Sequence, residues 1–157
     1  VCYVSNFYPP KGAIAAVEAA RLAGVRIIMA GTTPPAPPPG CEYIGTVSGQ
    51  DKVNLLARAK ALIFPSAIEC APVTVLEAQA AGCPVIVSAY GGASENMLPD
   101  VTGYVCRDTL EMADAIGRVG KLRREDCRQW VADCRSVEQM VDGYERVLMD
   151  VVKGARW

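Results

Sequence analysis

The amino-acid sequence predicts an α/β domain built on a doubly wound parallel sheet, and three observations support this class. Short apolar runs alternate with helical patterns from the start of the chain to about Val105. These runs are apolar at successive positions, which is typical of strands that are buried on both faces. The length of 157 residues suits one domain with a full hydrophobic core.

The elements follow one another in a simple order. The apolar runs predict strands at 1–5, 25–30, 42–45, 61–65 and 83–89. Helical patterns lie between them, and they predict helices at 11–23, at 51–59 and around Glu77. The run TTPPAPPPG at 32–40 predicts a stiff surface connection, with a proline-rich partner ligand as the alternative.

The region 106–157 is predicted to be mainly helical, with helices near 109–118, 123–134 and 137–152. In the last of these, apolar residues recur at helical spacing, and Ser136 with Gln139 forms a plausible capping box. We expect this helical C-terminal tail to pack against the α/β core. Residues 1–157 would then form a single domain.

The composition limits the classes of function. The chain is 51% hydrophobic and 21% charged, with a net charge of −1. No basic excess is available for a nucleic-acid backbone, so nucleic acid is not an expected partner. No apolar run reaches the length of a membrane span. Because the sequence does not begin with Met and opens on a strand pattern, we expect it to be part of a longer protein.

Cysteine and histidine usage argues against metal and nucleophile chemistry. The chain has seven cysteines with no CxxC pair, and it has no histidine. A zinc site would normally use clustered ligands, so no metal and no cofactor are expected. The lack of histidine also excludes nucleophile–base pairs that use it. We interpret the cysteines as small buried apolar residues of a cytoplasmic protein.

Three loops follow predicted strand ends, which is where doubly wound sheets bind ligands. In SNFYPPKG, Lys11 stands at the head of a helix, where the helix dipole disfavours a cation unless an anion binds there. In SAIECAP, Pro72 suits the first turn of a helix, and Ala71 cannot cap it. The N–H groups of Val73 and Thr74 would then be free for an anion such as phosphate, or for water.

The third loop carries Gly91 and Gly92, which indicate either an ordinary turn or a close approach to a ligand. Two carboxylates, Glu69 and Glu77, lie in the otherwise apolar stretch IFPSAIECAPVTVLEAQAAGCPVI. Beside a phosphate site, carboxylates are tolerated where they accept hydrogen bonds from sugar or ribose hydroxyls. The alternatives are the paired carboxylates of a glycoside hydrolase and two exposed surface glutamates.

The stretch IECAPVTVLEAQAAGCPVIVSAYGGASE resembles the E-x7-E signature of glycosyltransferase family 4, with Glu69 and Glu77 as its two glutamates. The segments PPKG, CEYIGTVS, DVTGYV and SVEQMVDGYERVL also resemble that family. The resemblance covers nearly the whole chain, but only the carboxy-terminal half of a GT-B enzyme. It implies one Rossmann-like, donor-binding domain of two, with the acceptor site in a missing amino-terminal domain.

The resemblance also implies roles for individual residues. Glu69 would be catalytic and lie against the donor sugar, whereas Glu77 would bind the ribose hydroxyls. Lys11 would contact the diphosphate, and the amides of Val73 and Thr74 its distal phosphate. The remaining candidates would also contact the donor. They are Asn6, the Thr46–Val47 loop, which would lie beside the base, and the Gly91–Gly92 turn.

The sequence departs from the family pattern at two places. Ser5 and Asn6 stand where a Gly-Arg pair is common, and Ala71 and Pro72 replace an aromatic-glycine pair.

The function that the resemblance predicts is the donor-binding domain of a retaining, metal-independent glycosyltransferase that uses a nucleotide-diphosphate sugar. This domain is expected to be inactive on its own. The alternatives are a catalytically degenerate nucleotide-sugar-binding domain, a GT-B nucleotide-sugar epimerase and a flavodoxin-like regulatory domain.

Overall fold

The computed structural model describes residues 1–32 and 37–156. Within these ranges, six strands form one sheet in the spatial order β3-β2-β1-β4-β5-β6, and every neighbouring pair is parallel. The strands are β1 (Cys2–Val4), β2 (Ile28–Ala30), β3 (Glu42–Tyr43), β4 (Leu62–Phe64), β5 (Val85–Ser88) and β6 (Gly103–Cys106). This order is that of a Rossmann-like doubly wound sheet. The predicted fold class is confirmed.

Helices cover both faces of the sheet. They are α1 (Ala13–Leu22), α2 (Gly49–Arg58), α3 (Val73–Ala80), α4 (Thr109–Arg118), α5 (Arg124–Cys134) and α6 (Val137–Val152). Short 3-10 turns occur at Pro9–Lys11, Gly92–Asn96 and Val119–Lys121. Of the proline-rich run at 32–40, residues 33–36 lie outside the described part of the chain.

The core is divided by the sheet into two clusters, as the period of two in a strand requires. Ile63 and Ile86 point to the side of α1 and α4, and the buried alanines of α1 allow that helix to approach closely. Leu62 and Val85, one position away, point to the side of α2 and α3. All four side chains are fully buried, so each central strand is apolar on both faces.

Strand β6 was not predicted. It begins at Gly103, where a Cβ atom would lie 2.0 Å from the Val85 carbonyl oxygen, so only glycine fits beside β5. Glycine is rare in strands and Val105 is exposed, and both features hide the strand from a pattern search. The helical region begins after β6, with α4 at Thr109.

The predicted packing of the last helix is wrong. Helix α6 forms, and the Ser136 hydroxyl accepts a hydrogen bond from the Gln139 N–H at 3.3 Å. However, none of its residues is buried against the described part of the chain, and Tyr144 and Leu148 are 66% and 62% exposed. The helical tail is confirmed, but its apolar face lies open. No helix within 1–32 and 37–156 combines the length and apolar character needed to cross a bilayer.

Candidate donor-binding site

The switch point of the sheet lies between β1 and β4, because β1 connects onward to β2 on one side while β4 and β5 extend the sheet on the other. The loops after β1 and β4 therefore meet at the carboxyl edge of the sheet, where doubly wound domains bind ligands. The Ala67 N–H donates to the Pro10 carbonyl oxygen at 3.1 Å. Gly12 approaches Pro65 so closely that a Cβ atom there would lie 2.8 Å from the proline ring.

Lys11 and Glu69 come together at this junction, although 58 residues separate them in sequence. The Lys11 ammonium donates a hydrogen bond to Glu69 Oε1. The two side chains are only 27% and 16% exposed, so this ion pair is less accessible than a typical surface pair. The helix predicted to start at 11 begins at Ala13, with Gly12 as its N-cap. Lys11 therefore lies just before α1, as the last residue of a 3-10 turn.

Tyr3 supports the loop from within the core. Its hydroxyl donates to the Asn6 carbonyl oxygen at 2.9 Å, while its ring is buried in the sheet. Burial raises the pKa of Tyr3 to about 12, and the nearby Glu69 carboxylate also raises it. The phenol therefore stays protonated and remains a donor to the loop that carries Asn6 and Lys11.

Asn6 joins the loops after β1 and β2. Its side-chain oxygen accepts a hydrogen bond from the Thr32 hydroxyl at 2.6 Å, and the residue is exposed. Gly31 lies against Ser5 with no room for a Cβ atom, which would meet the Ser5 carbonyl oxygen at 1.9 Å. Asn6 is thus held at the carboxyl edge of the sheet, in the loop that also carries Lys11.

Helix α3 begins at Val73, and Pro72 is its N-cap rather than its first residue. No side chain caps this end of the helix. Among the described residues, none accepts a hydrogen bond from the N–H of Val73 or Thr74. The predicted free amides are therefore present at the first two residues of α3, four and five positions after Glu69.

Glu77 lies further along α3, and the structure gives it a partner that the sequence analysis missed. The Lys52 ammonium of α2 donates to Glu77 Oε2. Lys52 stands near the start of α2, where the helix dipole disfavours a cation, and this is the same sequence signal that singled out Lys11. Thr46 and Val47 lie in the loop that leads into α2, with Thr46 exposed and Val47 packed on the core.

The Gly91–Gly92 turn contacts the Glu69 loop directly. Gly91 has a φ of 74°, and the Gly92 N–H donates to the Glu69 carbonyl oxygen at 2.7 Å. A Cβ atom on Gly92 would lie 1.8 Å from the Cys70 carbonyl oxygen. The close approach that the glycines permit is to this loop, and contact with a ligand stays a prediction.

A groove borders the loop that carries Lys11, because Pro9 and Gly12 are among its lining residues. This groove of about 1110 Å³ is also lined by Phe7, Tyr8, Ile14 and prolines 37–39, and by none of the residues predicted to bind the donor, all of which the structure describes. No three cysteine or acidic side chains converge within 1–32 and 37–156 in a metal-binding arrangement. Four cysteines are buried as predicted, but Cys70 and Cys134 are exposed.

Together these contacts define a Rossmann-like α/β domain with a charged site at the switch point of its sheet. The family described as "Glycosyl transferases group 1" matches residues 1–121. The chain therefore belongs to the group 1 glycosyltransferases. The finer placement in family 4 stays a prediction.

Relatives in sequence cover part of the chain. It is 35% identical over 79 residues to a glycogen synthase of Mycobacterium tuberculosis, a stretch that covers 49% of this chain and 19% of the relative. It is 38% identical over 79 residues to a D-inositol 3-phosphate glycosyltransferase of Saccharomonospora viridis, which covers 49% of this chain and 18% of that protein.

Solved glycosyltransferase structures share the fold over nearly the whole chain. AviGT4, a glycosyltransferase involved in avilamycin A biosynthesis, superimposes with a TM-score of 0.82 at 23% identity, over 99% of this chain and 52% of its own. Anabaena HepE in complex with UDP-glucose gives a TM-score of 0.73 at 18% identity, over 97% and 48%. This chain thus spans about half of each of these two structures.

Proposed function

We propose that this chain is the donor-binding domain of a retaining, metal-independent glycosyltransferase that uses a nucleotide-diphosphate sugar. The observation that carries the proposal is the contact between Lys11 and Glu69 at the switch point of the sheet. Lysine suits the diphosphate, and a carboxylate suits sugar hydroxyls. In a nucleotide sugar these two groups are directly bonded, so their binding residues must be neighbours.

The amides of α3 extend the site for the phosphates. Free N–H groups at a helix N-terminus, with the positive end of the helix dipole, attract anions without a metal ion. Val73 and Thr74 offer such groups beside the Glu69 loop. In this proposal Lys11 and the α3 amides share the charge of the diphosphate.

The remaining residues place the nucleoside and the sugar. Glu77 stands one turn into α3, which suits the ribose, and the Thr46–Val47 loop suits the base. Glu69 is the proposed catalytic residue because it faces the sugar. Anabaena HepE, which shares the fold, has been solved with UDP-glucose, and this agrees with a nucleotide sugar as the substrate.

The acceptor belongs to another part of the enzyme in this proposal. Transfer requires the acceptor to be held against the donor carbon, a task that GT-B enzymes divide between two domains. We expect this chain to bind a nucleotide sugar but to transfer no sugar on its own. A cytoplasmic location is also proposed, on the basis of the cysteine spacing.

Calorimetry with nucleoside diphosphates and nucleotide sugars tests the proposal on this chain. A hydrogen bond to a charged acceptor is worth about 1.5–3 kcal/mol, or roughly tenfold to hundredfold in affinity. Glu77→Gln should weaken binding of both ligand classes by that factor. Glu69→Gln should weaken only the nucleotide sugar, and it should leave the nucleoside diphosphate unchanged or bound more tightly, because Lys11 is released.

The controls separate the proposal from general effects of charge. Asp114→Asn removes a carboxylate from an exposed ion pair on α4 and should change neither affinity. Titrations in EDTA should match those without it. Equal losses for both glutamate variants with both ligands would contradict the assignment, and abolition of binding by EDTA would contradict metal independence.

A further inference from the structure

Lys52 forms an ion pair that is unlike most others in the chain. Most ion pairs of the described residues join exposed side chains three or four positions apart, within a helix or at its start, such as Arg118 and Asp114. Lys52 instead reaches from α2 to Glu77 of α3, across 25 residues of sequence. The Lys52 side chain is only 22% exposed, which is the lowest value for any cation in the ion pairs of the described residues.

The chemistry of the pair leaves one carboxylate oxygen available. An ammonium group only donates, and Lys52 donates to Glu77 Oε2. No other described residue donates to the Glu77 side chain. Oε1 is therefore left to accept a hydrogen bond, and a ribose hydroxyl is a donor of the matching kind.

Lys52 also connects two parts of the nucleoside site. The loop with Thr46 and Val47 runs directly into α2, and Val47 packs on the same core cluster as Leu55 and Leu56 of that helix. A shift of α2 would move the base loop and Lys52 together. The ion pair therefore fixes the distance between the loop for the base and the carboxylate for the ribose.

We propose that Lys52 is a positioning residue for ribose recognition, which holds the Glu77 carboxylate by one oxygen and leaves the other to accept a ribose hydroxyl. This inference rests on the proposed function. Without the lysine, the Glu77 side chain is free to rotate and its preference for a hydroxyl over a hydrogen atom falls. The phosphate contacts of Lys11 and α3 are not altered.

The test is the ratio of affinities for a ribonucleoside diphosphate and its 2′-deoxy and 3′-deoxy counterparts, measured by calorimetry with UDP, GDP and ADP as probes. The wild-type chain should bind the ribonucleoside diphosphate more tightly than the weaker-binding of its two deoxy counterparts, by roughly tenfold to hundredfold. Lys52→Met, which keeps the aliphatic stem, should lose most of that preference. Lys52→Arg should restore it, and affinity for inorganic pyrophosphate should be the same in all three.

Two further variants separate positioning from stability. Glu77→Gln should lose the same preference, and the double variant Lys52→Met with Glu77→Gln should lose no more than Glu77→Gln alone, because both changes remove one interaction. Arg118→Met deletes a cation from an exposed pair on α4 and should keep the preference. If Lys52→Met fails to fold, Lys52→Gln takes its place.

The outcomes distinguish this inference from the proposed function. A wild-type chain that binds none of the nucleotides overturns both. A wild-type chain that discriminates ribose from deoxyribose, with a Lys52→Met variant that discriminates equally well, overturns the role of Lys52 alone. Loss of the preference together with unchanged pyrophosphate affinity, rescued by Lys52→Arg, supports it.

Discussion

Replacing Gly92 by alanine would test whether the turn after β5 holds the Glu69 loop in place. The new Cβ atom would lie 1.8 Å from the Cys70 carbonyl oxygen and 3.2 Å from that of Glu69. Ordinary contact of a Cβ atom begins near 3.4 Å, so the two backbone segments would have to separate by about 1.6 Å. Neither neighbour is a side chain that could rotate away.

The separation should reduce both stability and ligand affinity. Overpacking of this kind costs about 1–3 kcal/mol, and in a domain of this length each kcal/mol lowers Tm by about 2–4 °C. The hydrogen bond from the Gly92 N–H to the Glu69 carbonyl oxygen, 2.7 Å long, would lengthen or break. Because Glu69 moves, nucleotide-sugar affinity should fall by roughly tenfold or more, since a charged hydrogen bond is worth about 1.5–3 kcal/mol.

Thermal unfolding and calorimetry with a nucleotide sugar measure the two effects. Gly117→Ala is the matched control, since Gly117 lies within α4 and a Cβ atom there meets nothing within 4 Å. Alanine is favoured over glycine in a helix by about 0.5–1 kcal/mol, so this variant should be slightly more stable and should bind normally. A Gly92→Ala variant that unfolds at the wild-type temperature and binds with wild-type affinity would refute the reasoning.

Two further predictions concern the cysteines and the last helix. A thiol reagent should label Cys70 and Cys134 quickly, whereas Cys106 and Cys127 stay unlabelled because burial raises their thiol pKa to about 11. A bound nucleotide sugar should protect Cys70, which is next to Glu69 in the chain. Cys134 should still be labelled and serves as the internal reference. On α6, Leu148→Ala should change stability by less than about 0.5 kcal/mol because the side chain is exposed. By comparison, Ile86→Ala in the core should cost about 2–5 kcal/mol in chemical denaturation. A loss at Leu148 similar to that at Ile86 would show that α6 packs on the domain after all.

Most of the fold could be predicted because its central strands are apolar at every position. The runs around Ile63 and Ile86 indicate burial on both faces, which only a parallel sheet covered by helices provides. Strand β6 was missed because its first residue is a glycine. Gly103 lies so close to the Val85 carbonyl oxygen that no Cβ atom would fit there. A residue needed for packing therefore removed the signal by which strands are found.

The apolar face of α6 shows a different limit of sequence patterns. Its helical spacing predicted a buried face, and the helix does form. The pattern states that a face is apolar, but it does not state which surface would cover it. Within the described residues nothing does, so the expected packing on the sheet domain was wrong for a reason that periodicity alone cannot reveal.

The site was predictable in its residue types but not in its pairing. Lys11 and Glu69 were found separately, by helix position and by an acidic residue among apolar neighbours, and their contact depends on two loops that meet only in the folded chain. Lys52 has the same helix-start signal as Lys11, but its pairing with Glu77 cannot be read from the sequence. Its partner on α3 becomes visible only once α2 and α3 lie side by side.

These pairings bear on how a dianionic diphosphate could bind. Lys11 and Lys52 each already contact a carboxylate, so neither offers a charge that is free of a counter-ion. In the proposed function the sugar hydroxyls donate hydrogen bonds to Glu69 and replace Lys11 as its partner. The Lys11 ammonium is then free to contact the phosphates. Recognition of sugar and phosphate would thereby be coupled through one ion pair. Asn6 carries no charge, so in this proposal Lys11 and the α3 amides are the sources of positive potential for the diphosphate, and the coupling gains importance.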